Sequence, residues 1–196
     1  MTSTNSKISF FIIYGWISSK GHGRELSKLL RQAGFVEART AEEADILITH
    51  SAGYYLIPEQ AKARFIVMIG PTLNSLSFAN WLHANLENAR MFWRDRKIAK
   101  GLRLNLLHIA DIFLHPRHNM MIARAAHSAK IPTIQAAETI IVANQADPWP
   151  HPENLNAYIE NQPWVFMSMP GAHENVWEQP EEYVKLIGKH AERLLV

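Results

Sequence analysis

The sequence predicts an α/β fold, a mostly parallel central sheet flanked by helices, and three observations carry that prediction. Short apolar runs of strand length alternate with amphipathic helical stretches along the chain. The apolar runs lack a polar–apolar alternation, as expected of strands buried on both faces. The chain has 196 residues, 47% of them hydrophobic, which suits a single domain over 1–196 with a sizeable core.

Taken in order, Lys7 to Tyr14 is a continuous apolar and aromatic run, the first strand. Gly15 to Gly23 holds three glycines and two serines and is a loop. Arg24 to Ala33 places Leu26, Leu29 and Leu30 on one helical stripe, and Gly34 is a natural C-terminal stop. Phe35 to Arg39 is a short strand. Thr40-Ala41-Glu42-Glu43 has capping-box spacing and predicts one helical turn. Asp45 to His50, Ala63 to Ile69, Thr139 to Ala143 and Pro163 to Met169 are the remaining strands. Only about five residues separate the run at Phe35 from that at Asp45, whereas a parallel crossover needs about a dozen. Either the short strand does not lie beside its successor, or a helix is missing.

Residues 72–138 contain no β-like run, and apolar residues recur there at helical intervals. This segment reads as a helical insertion, a lid over the sheet. Between 72 and 130 stand nine Lys or Arg (Arg90, Arg94, Arg96, Lys97, Lys100, Arg103, Arg117, Arg124, Lys130) against three acids (Glu87, Asp95, Asp111). The surplus of six positive charges exceeds the +2 of the whole chain, so a basic helical segment sits on a mildly acidic sheet domain.

Composition excludes several function classes. A net charge of +2 is too small to argue for nucleic acid. The absence of cysteine removes disulfides, thiolate metal sites and a cysteine nucleophile, and fits a reducing, cytoplasmic compartment. The longest apolar run, Ile8 to Ile17, is interrupted by Ser9 and is too short to span a membrane. No cleavage signal follows it. His115-Pro-Arg-His118 lacks a nearby third ligand, so no metal is expected. Gly21-His-Gly23 has Leu26 where a dinucleotide fingerprint needs its third glycine, and no P-loop occurs, so no cofactor is expected. Oligomeric state is not legible.

The informative point is the end of the strand at Asp45. There Ser51 follows a buried strand directly, with Gly53 two positions on, as a nucleophile elbow requires: the turn is sharp and small neighbours are needed where strand and helix crowd. Ser19-Lys20-Gly21 repeats the tripeptide, but within a polar loop. Asp147 lies just beyond the strand at Thr139, and His173 just beyond the strand at Pro163. Loops at the carboxyl ends of parallel strands converge on one edge. Each of these residues alone has a plain reading, as a turn former or a packed histidine. Together, in the order Ser51, Asp147, His173, they favour a catalytic triad.

On these residues the chain resembles the α/β-hydrolase superfamily, particularly its compact serine hydrolases, over roughly 7–70 and 139–195. His50-Ser51-Ala52-Gly53 looks like the elbow, Asn144-Gln-Ala-Asp147-Pro the acid loop, and Gly171-Ala172-His173 the base loop. Tyr14-Gly15-Trp16 looks like the oxyanion segment, with Tyr14 in place of the usual histidine, and Thr49 stands where the elbow usually has glycine. The resemblance implies a serine hydrolase of a small-molecule carboxylic ester or thioester, in which His173 is the base and Asp147 orients it. The backbone N–H groups of Trp16 and Ala52 would form the oxyanion hole. Trp81, Phe92 and Trp93 of the helical segment are candidate walls of an acyl pocket. The alternative is a non-catalytic α/β-hydrolase-like module that binds a partner through its basic helical insertion.

Overall fold

The computed structural model describes residues 7–16, 18, 20–72, 86, 89–90, 92–94, 96, 98–127, 136–147 and 164–193. Six strands, β1 (Ser9–Ile13), β2 (Val36–Glu37), β3 (Ile46–His50), β4 (Phe65–Ile69), β5 (Glu138–Asn144) and β6 (Trp164–Met169), form one all-parallel sheet in the order β2-β1-β3-β4-β5-β6. Between them lie helices α1 (Arg24–Gln32), α2 (Ile98–Leu114) and α3 (Pro116–His127), and after β6 come α4 (Asn175–Glu178) and α5 (Pro180–Arg193).

The strands form where the sequence is continuously apolar. β3 and β4 are buried at every residue, because helices cover both faces of the sheet centre. Alternate side chains feed two cores. On one face Phe10, Ile12, Ile46, Ile48, Phe65 and Val67 pack with α1, α4 and α5. On the other, Ile13, Leu47, Ile66 and Met68 pack with Tyr54, Ile57 and α3. Leu104 of α2 joins the first core and Ile122 of α3 the second, so this helical pair straddles the sheet. In α1, Leu26 and Leu30 are fully buried, each contributing about 2 kcal/mol of apolar transfer.

β2 resolves the crossover problem. It pairs with β1 at the sheet edge and not with β3, so no crossover from β2 into a neighbouring strand is needed. The order of connections reverses between β1 and β3, and crevices form at the carboxyl ends of strands at such a switch point. One expectation differs. Residues 40–43 form bends and a turn, not a helical turn, with Ala44 N–H donating to the Ala41 carbonyl at 3.4 Å. Four residues cannot offset the cost of helix nucleation without a packed face. In its described parts the segment between β4 and β5 is helical, as predicted. No helix among the described residues is long and apolar enough to cross a membrane.

Candidate active site

Ser51 begins a short 3-10 helix (Ser51–Leu56) directly after β3, and its φ is +54°, a left-handed conformation costly for a residue with a Cβ. The sharp strand-to-turn bend expected at Ser51 is present. Thr49 does not prevent it: it lies within β3 in register with Ile13 and Met68, fully buried. The turn is so crowded that a Cβ at Gly53 would lie 2.4 Å from the Ile13 carbonyl oxygen. Gly15 brings the loop after β1 equally close, since a Cβ there would fall 2.7 Å from the Ser51 Cβ and 3.2 Å from the Ala52 nitrogen. The segment predicted to supply oxyanion donors thus lies against the elbow, with Ala52 fully buried.

Asp147 and His173 meet directly, Nδ1 to Oδ2 at 2.7 Å, and both are buried. The loops that carry them are laced together: Gln145 N–H donates to the Met169 carbonyl and Ala146 N–H to the Gly171 carbonyl, each at 2.9 Å. Tyr183 of α5 secures the same junction, donating to Asn144 Oδ1 at 2.6 Å and accepting from Asn175 Nδ2 at 3.3 Å. Burial opposes a charged imidazole at His173, but the charge and hydrogen bond of Asp147 outweigh it and raise its pKa.

The end of β4 links the two halves of the site. Gly70 has φ +51°, and a Cβ there would lie 2.9 Å from Asp147 Oδ2 and 3.1 Å from His173 Nδ1. Two residues on, Thr72 Oγ1 is 2.9 Å from Ser51 Oγ, and Thr72 is itself held by Tyr54, whose hydroxyl donates to the Thr72 carbonyl at 3.0 Å. Ser51 on one side and the Asp147–His173 pair on the other therefore flank the short segment Gly70–Thr72.

Sequence reasoning passed over Gly70, Thr72, His50 and Glu174. The His50 ring lies 4.8 Å from those of both His173 and Trp177, and its Nε2 is 3.3 Å from the His173 carbonyl oxygen. Burial, then the charge of His173, lowers the His50 pKa. Burial raises Glu174 to about 7 despite the neighbouring imidazole. Its carboxylate is 3.7 Å from His108 Nε2 of α2, whose ring stacks on His22 at 4.9 Å. Burial lowers His108 to about 3 and His22 to about 4. The one signal available for Gly70 and Thr72 was their position after a central strand. Among the described residues, His50, His173 and Glu174 alone have metal-ligand spacing, their donor atoms lying within 4.8 Å of one another. His173 Nδ1 is engaged by Asp147, and His50 Nε2 lies 3.3 Å from the His173 carbonyl oxygen.

Two of the three acyl-pocket candidates are described, and they lie apart from the serine, acid and imidazole. Trp81 lies outside the described residues. Phe92 is buried in the core against Gly101, and Trp93 is 74% exposed. Both border a cleft with Ala89, Ile98 and Leu102 whose lining includes none of Ser51, Asp147 and His173.

Comparison with known proteins places this geometry. No family model and no curated protein matches the sequence. Solved structures do match over nearly the whole chain. An esterase from Thermogutta terrifontis is similar at 14% identity with a TM-score of 0.62, over 97% of this chain and 91% of that one. An enol-lactonase from Burkholderia xenovorans is similar at 9% identity and TM-score 0.61, over 95% and 92%. A monoacylglycerol lipase from Paleococcus ferrophilus is similar at 17% identity and TM-score 0.54, over 92% of each chain. With its parallel sheet, its strained serine after β3 and its paired acid and imidazole at the neighbouring strand ends, the chain has the α/β-hydrolase fold.

Proposed function

We propose that the protein is a serine hydrolase of small carboxylic esters or thioesters, with Ser51 as nucleophile, His173 as base and Asp147 as the residue that orients it. The observation that carries this reading is the left-handed Ser51 beside a buried 2.7 Å Asp147–His173 pair at one end of the sheet. The structural neighbours named as esterase, lactonase and lipase support it.

The chemistry follows from the environment of each group. A serine hydroxyl is a weak nucleophile until a base removes its proton, and neutral His173 takes that role through Nε2. Asp147 accepts from Nδ1–H, which fixes the tautomer and stabilises the imidazolium formed as the C–O bond is made. The backbone N–H groups of Ala52 and Trp16 hold the oxyanion, one such donor contributing about 3 kcal/mol. Collapse of the tetrahedral intermediate expels the alcohol or thiol, which takes the proton from His173. Water, deprotonated by the same imidazole, then releases the acid and regenerates Ser51. Thr72, within hydrogen-bond distance of the hydroxyl, holds its rotamer. The segment between β4 and β5 serves as a lid, touching the site through His108 and Glu174, and its small size favours short to medium acyl chains.

A fluorophosphonate probe tests the reading. The folded protein should label at neutral pH, and Ser51→Ala should abolish both labelling and hydrolysis of nitrophenyl esters, a loss of about 10⁵-fold or more. Absence of labelling would favour the non-catalytic module. Fastest turnover on long-chain esters would overturn the chain-length preference.

A further inference from the structure

We propose that the outward face of α2 is a docking surface for an anionic lipid bilayer. This helix is inside out. Ile98, Leu102, Leu106, Ile109 and Phe113 recur at intervals of three and four, which sets them on one stripe. All five are exposed, between 52% for Ile98 and 77% for Phe113. The opposite face carries buried polar groups: Asp111 is 2% exposed and bonded to Asn119, and His108 lies between His22 and Glu174. The helix contributes Leu104 to the core and leaves its larger apolar face uncovered.

Other large apolar residues of the segment are exposed as well. Trp93 before it and Leu114 at its end are 74% and 72% exposed, and Met120 and Met121 on α3 are each 52% exposed. Over its 17 residues the apolar strip is about 25 Å long. An exposed apolar helix face of this length points to an interaction site.

Charge selects the occupant. Arg96, Arg103, Arg117 and Arg124 are exposed around the strip. Among the described residues from 86 to 127 the single acid is Asp111, and it is buried. An apolar face with tryptophan at one end and an arginine rim matches a helix lying in a bilayer surface, with side chains among the acyl chains and guanidinium groups at the phosphates. A second copy of this chain would bring one arginine rim against another. The surface uses no residue of the proposed triad, so it stands or falls apart from the catalytic reading.

Flotation of the full chain with vesicles tests it. Vesicles of phosphatidylcholine mixed with phosphatidylglycerol should bind at least about 10-fold more protein than phosphatidylcholine alone at low ionic strength, and added salt should weaken this binding. The double substitution Leu102→Gln/Phe113→Gln should reduce binding about 10-fold, since each residue removes exposed apolar area without touching the core. Arg103→Gln/Arg117→Gln should reduce the preference for anionic vesicles, and Ser51→Ala should leave binding unchanged. No binding to mixed vesicles at low salt, or equal binding to both kinds, overturns the proposal. So does self-association that Leu102→Gln/Phe113→Gln abolishes in a protein that ignores vesicles. The salt response of the unaltered protein decides the matter even if a variant fails to fold.

Discussion

The carboxyl edge of the sheet and helix α2 obey opposite rules of burial. At the sheet edge, apolar strands deliver polar groups into buried positions where each is held: Asp147 by His173, Thr72 by Tyr54, Asn144 by Tyr183. In α2 Asp111 and His108 also point inward, but Leu102, Leu106, Ile109 and Phe113 point out. Buried polar groups are costly unless paired, and exposed apolar ones are costly in another way, by ordering water. The difference teaches that the sheet edge keeps its polar groups buried and in place, whereas the helix leaves a large apolar face in solvent.

Breaking the sheet-edge side should produce the largest effects. Asp147→Asn should lower kcat by about 10⁴-fold, because the imidazole loses its tautomer and its counter-charge. The same variant should move the acid limb of the pH–rate profile. In the unaltered protein His173 has a raised pKa, so activity as a neutral base should appear only above the ordinary imidazole range near 6.5. Without the carboxylate, burial is opposed by the charge of Glu174 and no longer by Asp147, and the limb should shift to lower pH. An unchanged limb would mean that His173 is not the base.

Gly70→Ala sharpens the comparison, since it touches the site without removing a functional group. The added methyl would press on both Asp147 and His173 in a left-handed backbone, and a displacement of that size should cost about 10²-fold in kcat/KM. Thr72→Val should cost less, about 10-fold and in kcat rather than KM, as expected for one hydrogen bond to the nucleophile. Steady-state kinetics on a short ester reads both.

The smallest effect should lie where α2 meets the site. His22 and His108 have folded pKa values of about 4 and about 3, below the unfolded 6.5. The folded state then binds fewer protons than the unfolded one, so stability should fall as pH drops from 6.5 towards 4. Glu174, raised to about 7, acts in the opposite sense between 7 and 4.5, which leaves the histidines dominant. Replacing His108 with Gln should flatten the dependence by up to about 1.4 kcal/mol per pH unit in that window, as read by urea unfolding. An unchanged slope would show that this histidine is not buried in its neutral form.

Much of the sheet edge was legible before folding. The strands are continuous apolar runs; Ser51 follows one directly, and Asp147 and His173 lie in the loops just beyond two others, so chain position alone directed them to a common edge. Gly70, Thr72, His50 and Glu174 were not legible, because their roles come from contacts across 21 to 123 residues, such as Thr72 with Ser51 and His50 with His173. The pairing of β2 with β1 was posed by the short spacing and answered only by the sheet.

What the sequence determined by itself was therefore periodic and local: strand runs, the helical segment with its basic surplus, and the order of the three site residues. Only the tertiary structure decided which face of α2 turns inward and what presses on the acid and the imidazole. Hydrophobic periodicity reports that a helix has two faces. Which face the protein covers depends on the buried partners available, here Glu174 and His22 for His108 and Asn119 for Asp111.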